Sequence, residues 1–114
     1  MRFGHAAVGI ARGAKLLFSA FEDGGEMWTG QGARAVRSPI TFDEPFFTPP
    51  LVHVALGMWD IEGGSNQRVD IGAERITPKG FDIVFRTWGD TRVARVRAEW
   101  IAFGPVRHSD DFDL

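Results

Sequence analysis

A chain of 114 residues has room for one domain and one core, not for a catalytic domain with a lid. Ten Phe and four Trp supply enough apolar area to hold a core without staples, and the absence of Cys excludes disulfides, thiolate metal sites and thiol nucleophiles. A formal net charge of −2 argues against a non-specific grip on nucleic acid, and no stretch approaches the roughly 20 apolar residues of a membrane span.

Residues 1–14 carry three glycines and no clear period, and read as an N-terminal arm. They lack the continuous apolar run of a secretory signal, so synthesis in the cytosol is expected; the location is left open, and action outside a cell would require another route, such as release or display on a particle. From residue 15 to 104 the dominant signal is period two. Lys15–Phe21 is a short apolar run ended by Asp23-Gly24-Gly25. Arg34–Phe42 alternates weakly, and Pro39 places it at a sheet edge or a bulge. Phe46 and Phe47 sit in a loop pinned by Pro45, Pro49 and Pro50.

Leu51–Trp59 is apolar on both parities except at His53, which predicts a strand buried on both faces, in the core or at a subunit contact. After the Gly63-Gly64-Ser65-Asn66 turn, Arg68–Ile76 alternates with Val69, Ile71 and Ala73 on one side. Thr77-Pro78-Lys79-Gly80 turns the chain into Phe81, Ile83 and Phe85, and Gly89-Asp90 is a hairpin signal. Ala94, Val96, Ala98, Trp100 and Ala102 form the inward row of a last long strand, with Arg95, Arg97 and Glu99 outward. Residues 105–114 form an acidic tail. The fold class is therefore all-β, with about six strands in a sandwich or small barrel.

The search for chemistry is mostly negative. His5, His53 and His108 lack metal-ligand spacing, and no serine stands in a Gly-x-Ser-x-Gly elbow. Glu22/Asp23 and Asp43/Glu44 are sequence neighbours, which on strands face opposite ways and argue against a two-carboxylate cleft. Gly30-Gln31-Gly32 lacks the Lys-Ser/Thr of a phosphate loop. The Arg92, Arg95 and Arg97 row is diluted by Glu99 and reads as a solvated face. No catalytic residue, metal or cofactor is expected.

What remains gathers at the turns: Arg68 just after Asn66-Gln67, the Trp88-Gly89-Asp90 tip, and Asp60 at a strand end. An indole covers the C–H face of a pyranose, while a guanidinium and a carboxylate share its vicinal hydroxyls. Spacing alone leaves two plainer readings open, Trp88 as packing at the hairpin end and Arg68 paired with a cross-strand acid.

The ordered set Ile40-Thr41-Phe42-Asp43-Glu44-Pro45-Phe46, Pro49-Pro50-Leu51-Val52, Trp59-Asp60, Asn66-Gln67-Arg68-Val69, Ile76-Thr77-Pro78-Lys79-Gly80-Phe81, Thr87-Trp88-Gly89-Asp90-Thr91 and Trp100-Ile101-Ala102-Phe103-Gly104 resembles the H-type lectin domain over residues 36 to 104. The resemblance implies a six-stranded antiparallel β-sandwich of immunoglobulin-like shape, trimeric and often stacked into hexamers. It further implies binding of galactose or N-acetylgalactosamine-type sugars between neighbouring subunits. By position, Arg68 matches the family arginine that hydrogen-bonds sugar hydroxyls, and Trp88 the tryptophan of the sugar-contacting hairpin. Two departures stand out. Gly89 occupies the place of a histidine in the family's snail agglutinin, with Asp90 beside it. The loop before Ile40-Thr41-Phe42 has Ala33 where a family aspartate acceptor belongs. Gly32 and Arg34, in that loop, complete the candidate site.

The expected function is multivalent recognition of galactose-type or surface-polysaccharide glycans by a self-associating module that inserts in no membrane. The alternative is a trimeric structural part of a phage-related particle, such as a spike, fibre or baseplate component, docking on a larger assembly through residues 1–14.

Overall fold

In a computed structural model, which describes residues 7–19 and 25–107, the elements run β1 (Ala7–Ser19), α1 (Glu26–Thr29), β2 (Arg34–Thr41), β3 (Leu51–Ile61), β4 (Val69–Thr77), β5 (Gly80–Thr87) and β6 (Val93–Val106). The strands make two three-stranded antiparallel sheets, ordered β1-β6-β3 and β2-β5-β4. This is the six-stranded antiparallel sandwich that the resemblance implies, and one of the two architectures the period-two pattern leaves open.

The two strands with the strongest inward rows occupy the two central places. Phe81, Ile83 and Phe85 of β5 are buried, as are Val96, Ala98 and Ala102 of β6. The alanines of β6 leave room for large rings from the facing sheet, so small and large side chains interdigitate. One cluster joins Phe42, Phe46, Val54, Phe81, Ile83, Ala98 and Ala102, with Trp100 against it. Its rings meet edge to face: Phe42–Phe46 at 5.0 Å and Phe81–Trp100 at 5.3 Å between centroids. A second cluster of Met27, Phe85, Val93 and Val96 fills the other end, with Phe18 5.6 Å from Phe85. Pro39 lies on β2, an edge strand, where its missing N–H leaves no ladder bond unmade.

The expected arm does not hold for residues 7–14, which form the first half of β1. The alternation is disguised because the less exposed positions are Ala7, Gly9, Ala11 and Gly13, while Val8, Ile10 and Arg12 face outward. A side chain at position 13 would bring its Cβ within 2.8 Å of the Trp100 indole, so the close approach requires glycine. At the other terminus, β6 runs on through Pro105 and Val106, two residues of the expected tail. The remainder of the arm (1–6), the Asp23-Gly24 break and the acidic residues 108–114 lie outside the described residues.

The outer faces of the two sheets differ in kind. On β2-β5-β4, Arg37 reaches Glu74 at 2.8 Å and Asp82 at 3.0 Å, and Arg86 reaches Glu74 at 2.7 Å. The Arg37–Glu74 pair spans from β2 to β4 across β5, over the row that holds Val84, and Val84 is buried although it points outward. On β1-β6-β3, Ile10, Phe103 and Leu51 form one cross-strand row and Arg12, Ile101 and His53 the next. Ile10 is 65% exposed and Leu51 49%. The expected burial of β3 on both faces is not met within one chain: Leu51 and His53 are open to solvent.

Candidate functional site

The site is built on the pairing of β4 with β5. Val69 opposite Thr87 brings the start of β4 beside the loop that joins β5 to β6. Two buried threonines then stitch the segments together. Thr87 Oγ1 donates to the carbonyl of Arg68 at 2.6 Å, and the Arg68 N–H donates to Thr91 Oγ1 at 3.0 Å. The Thr91 hydroxyl in turn donates to the carbonyl of Asn66. Thr87 is 1% exposed and Thr91 not at all, so these bonds are made away from competing water.

Between the threonines, Trp88, Gly89 and Asp90 form an exposed tip. Arg68 Nη1 donates to Asp90 Oδ1 at 2.8 Å, and Asn66 Nδ2 approaches the same oxygen at 3.5 Å. Partial desolvation pushes the Asp90 carboxyl up. Hydrogen bonds from Asn66, its own backbone N–H and Arg68, together with the Arg68 charge, outweigh that and hold it below its ordinary value. Gly89 has φ +70°, and a Cβ there would lie 3.0 Å from Arg68 Nη1. Glycine thus lets the guanidinium lie against the tip. Trp88 keeps 44% of its surface exposed.

Behind the tip stands the loop that carries α1. Gly32, at φ +77°, donates its N–H to the Gly89 carbonyl at 3.0 Å. Arg34 is 4% exposed and donates to the carbonyls of Gly32 at 3.0 Å, Met27 at 3.1 Å and Gly89 at 3.1 Å.

Of the residues singled out in the sequence, Arg68, Asn66, Trp88, Gly89 and Asp90 come together at one end of the sandwich, with Gly32 and Arg34 beneath them. Arg68 meets the tip inside a single chain, because β4 and β5 are neighbours in one sheet; a boundary between copies is not needed for that contact. The plainer reading of Arg68 holds a part of this, since its acid partner is Asp90 itself. Asp60 stands apart, 3.4 Å from Arg95 on the other sheet. Thr87 and Thr91 were missed by sequence reasoning. Their signal is the continuation of the inward parity of Phe81, Ile83 and Phe85 onto a polar residue, followed by a second threonine across the turn.

Two clefts lie elsewhere. One of about 1300 Å³ borders Gly9–Arg12, Phe46, Phe47 and Arg107 at the opposite end, and one of about 520 Å³ lies between Arg12, His53 and Glu99. The Arg68–Asp90 tip is by contrast an open surface. Among the described residues no group of three or more His, Cys, Asp or Glu is placed to hold a metal ion.

A β-sandwich whose exposed tip gathers an indole, a guanidinium and a carboxylate has the plan of a binding module. The family model of the H-type lectin domain matches residues 37–103, and the chain belongs to that family, a class of carbohydrate-binding module. A protein of Fuscovulum blasticum named ATP synthase subunits region ORF 7 is 57% identical over 109 residues, 96% of this chain and 95% of that protein. A discoidin-1 polypeptide of Dictyostelium discoideum is 40% identical over 75 residues, 65% of this chain; the match spans 30% of the discoidin. The structure of wild-type discoidin II from the same organism superposes with a TM-score of 0.77 at 22% identity, over 92% of this chain and 40% of that one, which shows a shared fold.

Proposed function

We propose that the chain binds galactose- or N-acetylgalactosamine-type sugars, or surface polysaccharides that carry them, at the tip formed by Arg68, Trp88 and Asp90. The observation that carries this reading is the 2.8 Å contact between Arg68 and Asp90 beside a half-exposed indole. A sugar hydroxyl is both donor and acceptor. A vicinal pair can therefore accept from the free N–H groups of Arg68 and donate to the second oxygen of Asp90, while Trp88 covers the C–H face of the ring. Asp90 supplies the acceptor that Ala33 lacks, and Asn66 extends the polar edge.

Such a site is shallow, and the proposal includes self-association into a trimer or hexamer that displays several sites at once. The apolar row of Ile10, Phe103 and Leu51 on the outer face of β1-β6-β3 supports this, as does the presence of opposite charges, Arg12 and Glu99, on the same face. Avidity then exceeds single-site affinity by roughly 10²–10⁴ without new contacts. Asp60, on β3 of that sheet, joins a site only through a neighbouring copy.

A glycan array probed with the assembled protein tests the reading. Galactose-type or polysaccharide signals that vanish in Arg68→Ala and Trp88→Ala support it. Silence across the array from a folded oligomer favours the structural role instead.

A further inference from the structure

The most deeply buried cation among the described residues is Arg34, at 4% exposure, and it forms no ion pair there. A buried charge is costly unless its hydrogen bonds are made, and Arg34 makes them to three backbone carbonyls, of Gly32, Met27 and Gly89. These acceptors belong to two separate structures. Met27 and Gly32 lie in the α1 loop, and Gly89 is the centre of the tip between β5 and β6, 55 residues on in the chain. The Gly89 carbonyl receives a second bond from the Gly32 N–H. Both neighbours of Gly89 carry side chains of the proposed site, Trp88 and Asp90.

We propose that Arg34 is the positioning residue of the sugar site: it touches no ligand, and by gripping the Gly89 carbonyl from below it sets where Trp88 and Asp90 stand relative to Arg68. The inference rests on the reading of that tip as the binding site. Its chemistry is specific to a guanidinium. The planar fork sends Nε, Nη1 and Nη2 to three carbonyls in different directions, which a lysine ammonium at the end of a flexible stem does not reproduce. Burial also explains why a residue matched to the family's acceptor loop is withdrawn from the surface. Its donors are spent on backbone.

The test uses protein labelled with 5-fluorotryptophan, with the Trp88 resonance assigned from Trp88→Phe. In Arg34→Lys the ¹⁹F signal of Trp88 is expected to shift or broaden while that of Trp100, in the opposite end of the core, stays in place. Affinity for N-acetylgalactosamine is expected to fall about tenfold, as for loss of one charge-assisted bond. A loss of general stability alone would disturb Trp100 as well, and that pattern overturns the proposal. So does a folded Arg34→Lys protein with an unmoved Trp88 signal. If Arg34→Lys does not fold, Gly32→Ala serves: its Cβ meets nothing within 4 Å, and the strain at φ +77° falls on the backbone that accepts from Arg34 and donates to the Gly89 carbonyl. Displacement of Trp88 in that variant supports the linkage between loop and tip, and a still Trp88 refutes it. Because the fluorine signal is read without ligand, a wild-type protein that ignores N-acetylgalactosamine would remove the sugar reading and leave this result to stand or fall by itself.

Discussion

Arg68 Nη1 stands 2.8 Å from Asp90 Oδ1, so the cation and the anion of the site are joined before any ligand arrives. The pair is exposed, with side chains 39% and 57% accessible, and exposed pairs add little to stability. In the proposed site its value lies in orientation: each group fixes the other where the hydroxyls of a bound sugar would dock. Asp90→Asn should therefore weaken binding of N-acetylgalactosamine by about tenfold while leaving the thermal midpoint nearly unchanged. Calorimetric titration and a melting curve on the same sample check both halves.

Gly89 should resist substitution for two separate reasons. An L-residue held at φ +70° costs roughly 1–2 kcal/mol, and its Cβ would crowd Arg68 Nη1 from 3.0 Å. Gly89→Ala is expected to lower unfolding stability by that amount in a denaturant titration. It should also lower sugar affinity, since the guanidinium is pushed off Asp90. A histidine at this position, as in the snail agglutinin, would need a different placement of the arginine.

The pH dependence follows from Asp90. Its carboxyl is held below the ordinary aspartate value, so its charge is complete above that range and is lost only as pH falls through the lower folded value. Affinity should stay level from neutral pH down to about 4, near the ordinary aspartate value, and drop below it. In Asp90→Asn that acid limb of binding should disappear. Glu74 is likewise held low, by hydrogen bonds from Arg86 and Arg37, on the outer face of β2-β5-β4. Glu74→Gln should change the acid limb of stability and leave that of binding alone.

The strands were legible where one face is apolar and the other polar. Phe81-Ile83-Phe85 and the Ala94–Ala102 row announce β5 and β6 because each sits mid-sheet over a dense core. The first half of β1 was hidden, since its inner positions are Ala and Gly, with Gly13 against Trp100 and Gly9 against Val106, and small residues give no hydrophobic period. Within the candidate site, turn chemistry marks the positions of Arg68 and the Trp88–Asp90 tip, and the family resemblance is what sets them apart from ordinary turn residues. The supports were legible only in part. Arg34 could be placed in the site by its loop, but not its burial with the fork closed on three carbonyls, and Thr87 and Thr91 act through bonds between segments 19 and 25 residues apart.

Assembly has its own signature. Ile10, Leu51 and Phe103 lie in one row across the outer face of β1-β6-β3, and a charge placed there would have to be buried on self-association. If the chain self-associates as proposed, the wild-type mass by light scattering should be three or six times 12.6 kDa, and Ile10→Asp should give a folded monomer. Binding to a sugar-coated surface should weaken by far more than binding to a free monosaccharide, because avidity is lost.

The most direct measurement compares Arg68→Ala with Arg37→Ala in titrations with N-acetylgalactosamine. Arg37 pairs with Glu74 and Asp82 on the outer face, remote from the tip, and carries the same charge and side chain. Arg68→Ala should lose about 1.5–3 kcal/mol of binding or all detectable signal, whereas Arg37→Ala should match wild type. Equal affinity in all three proteins would contradict the assignment of the site.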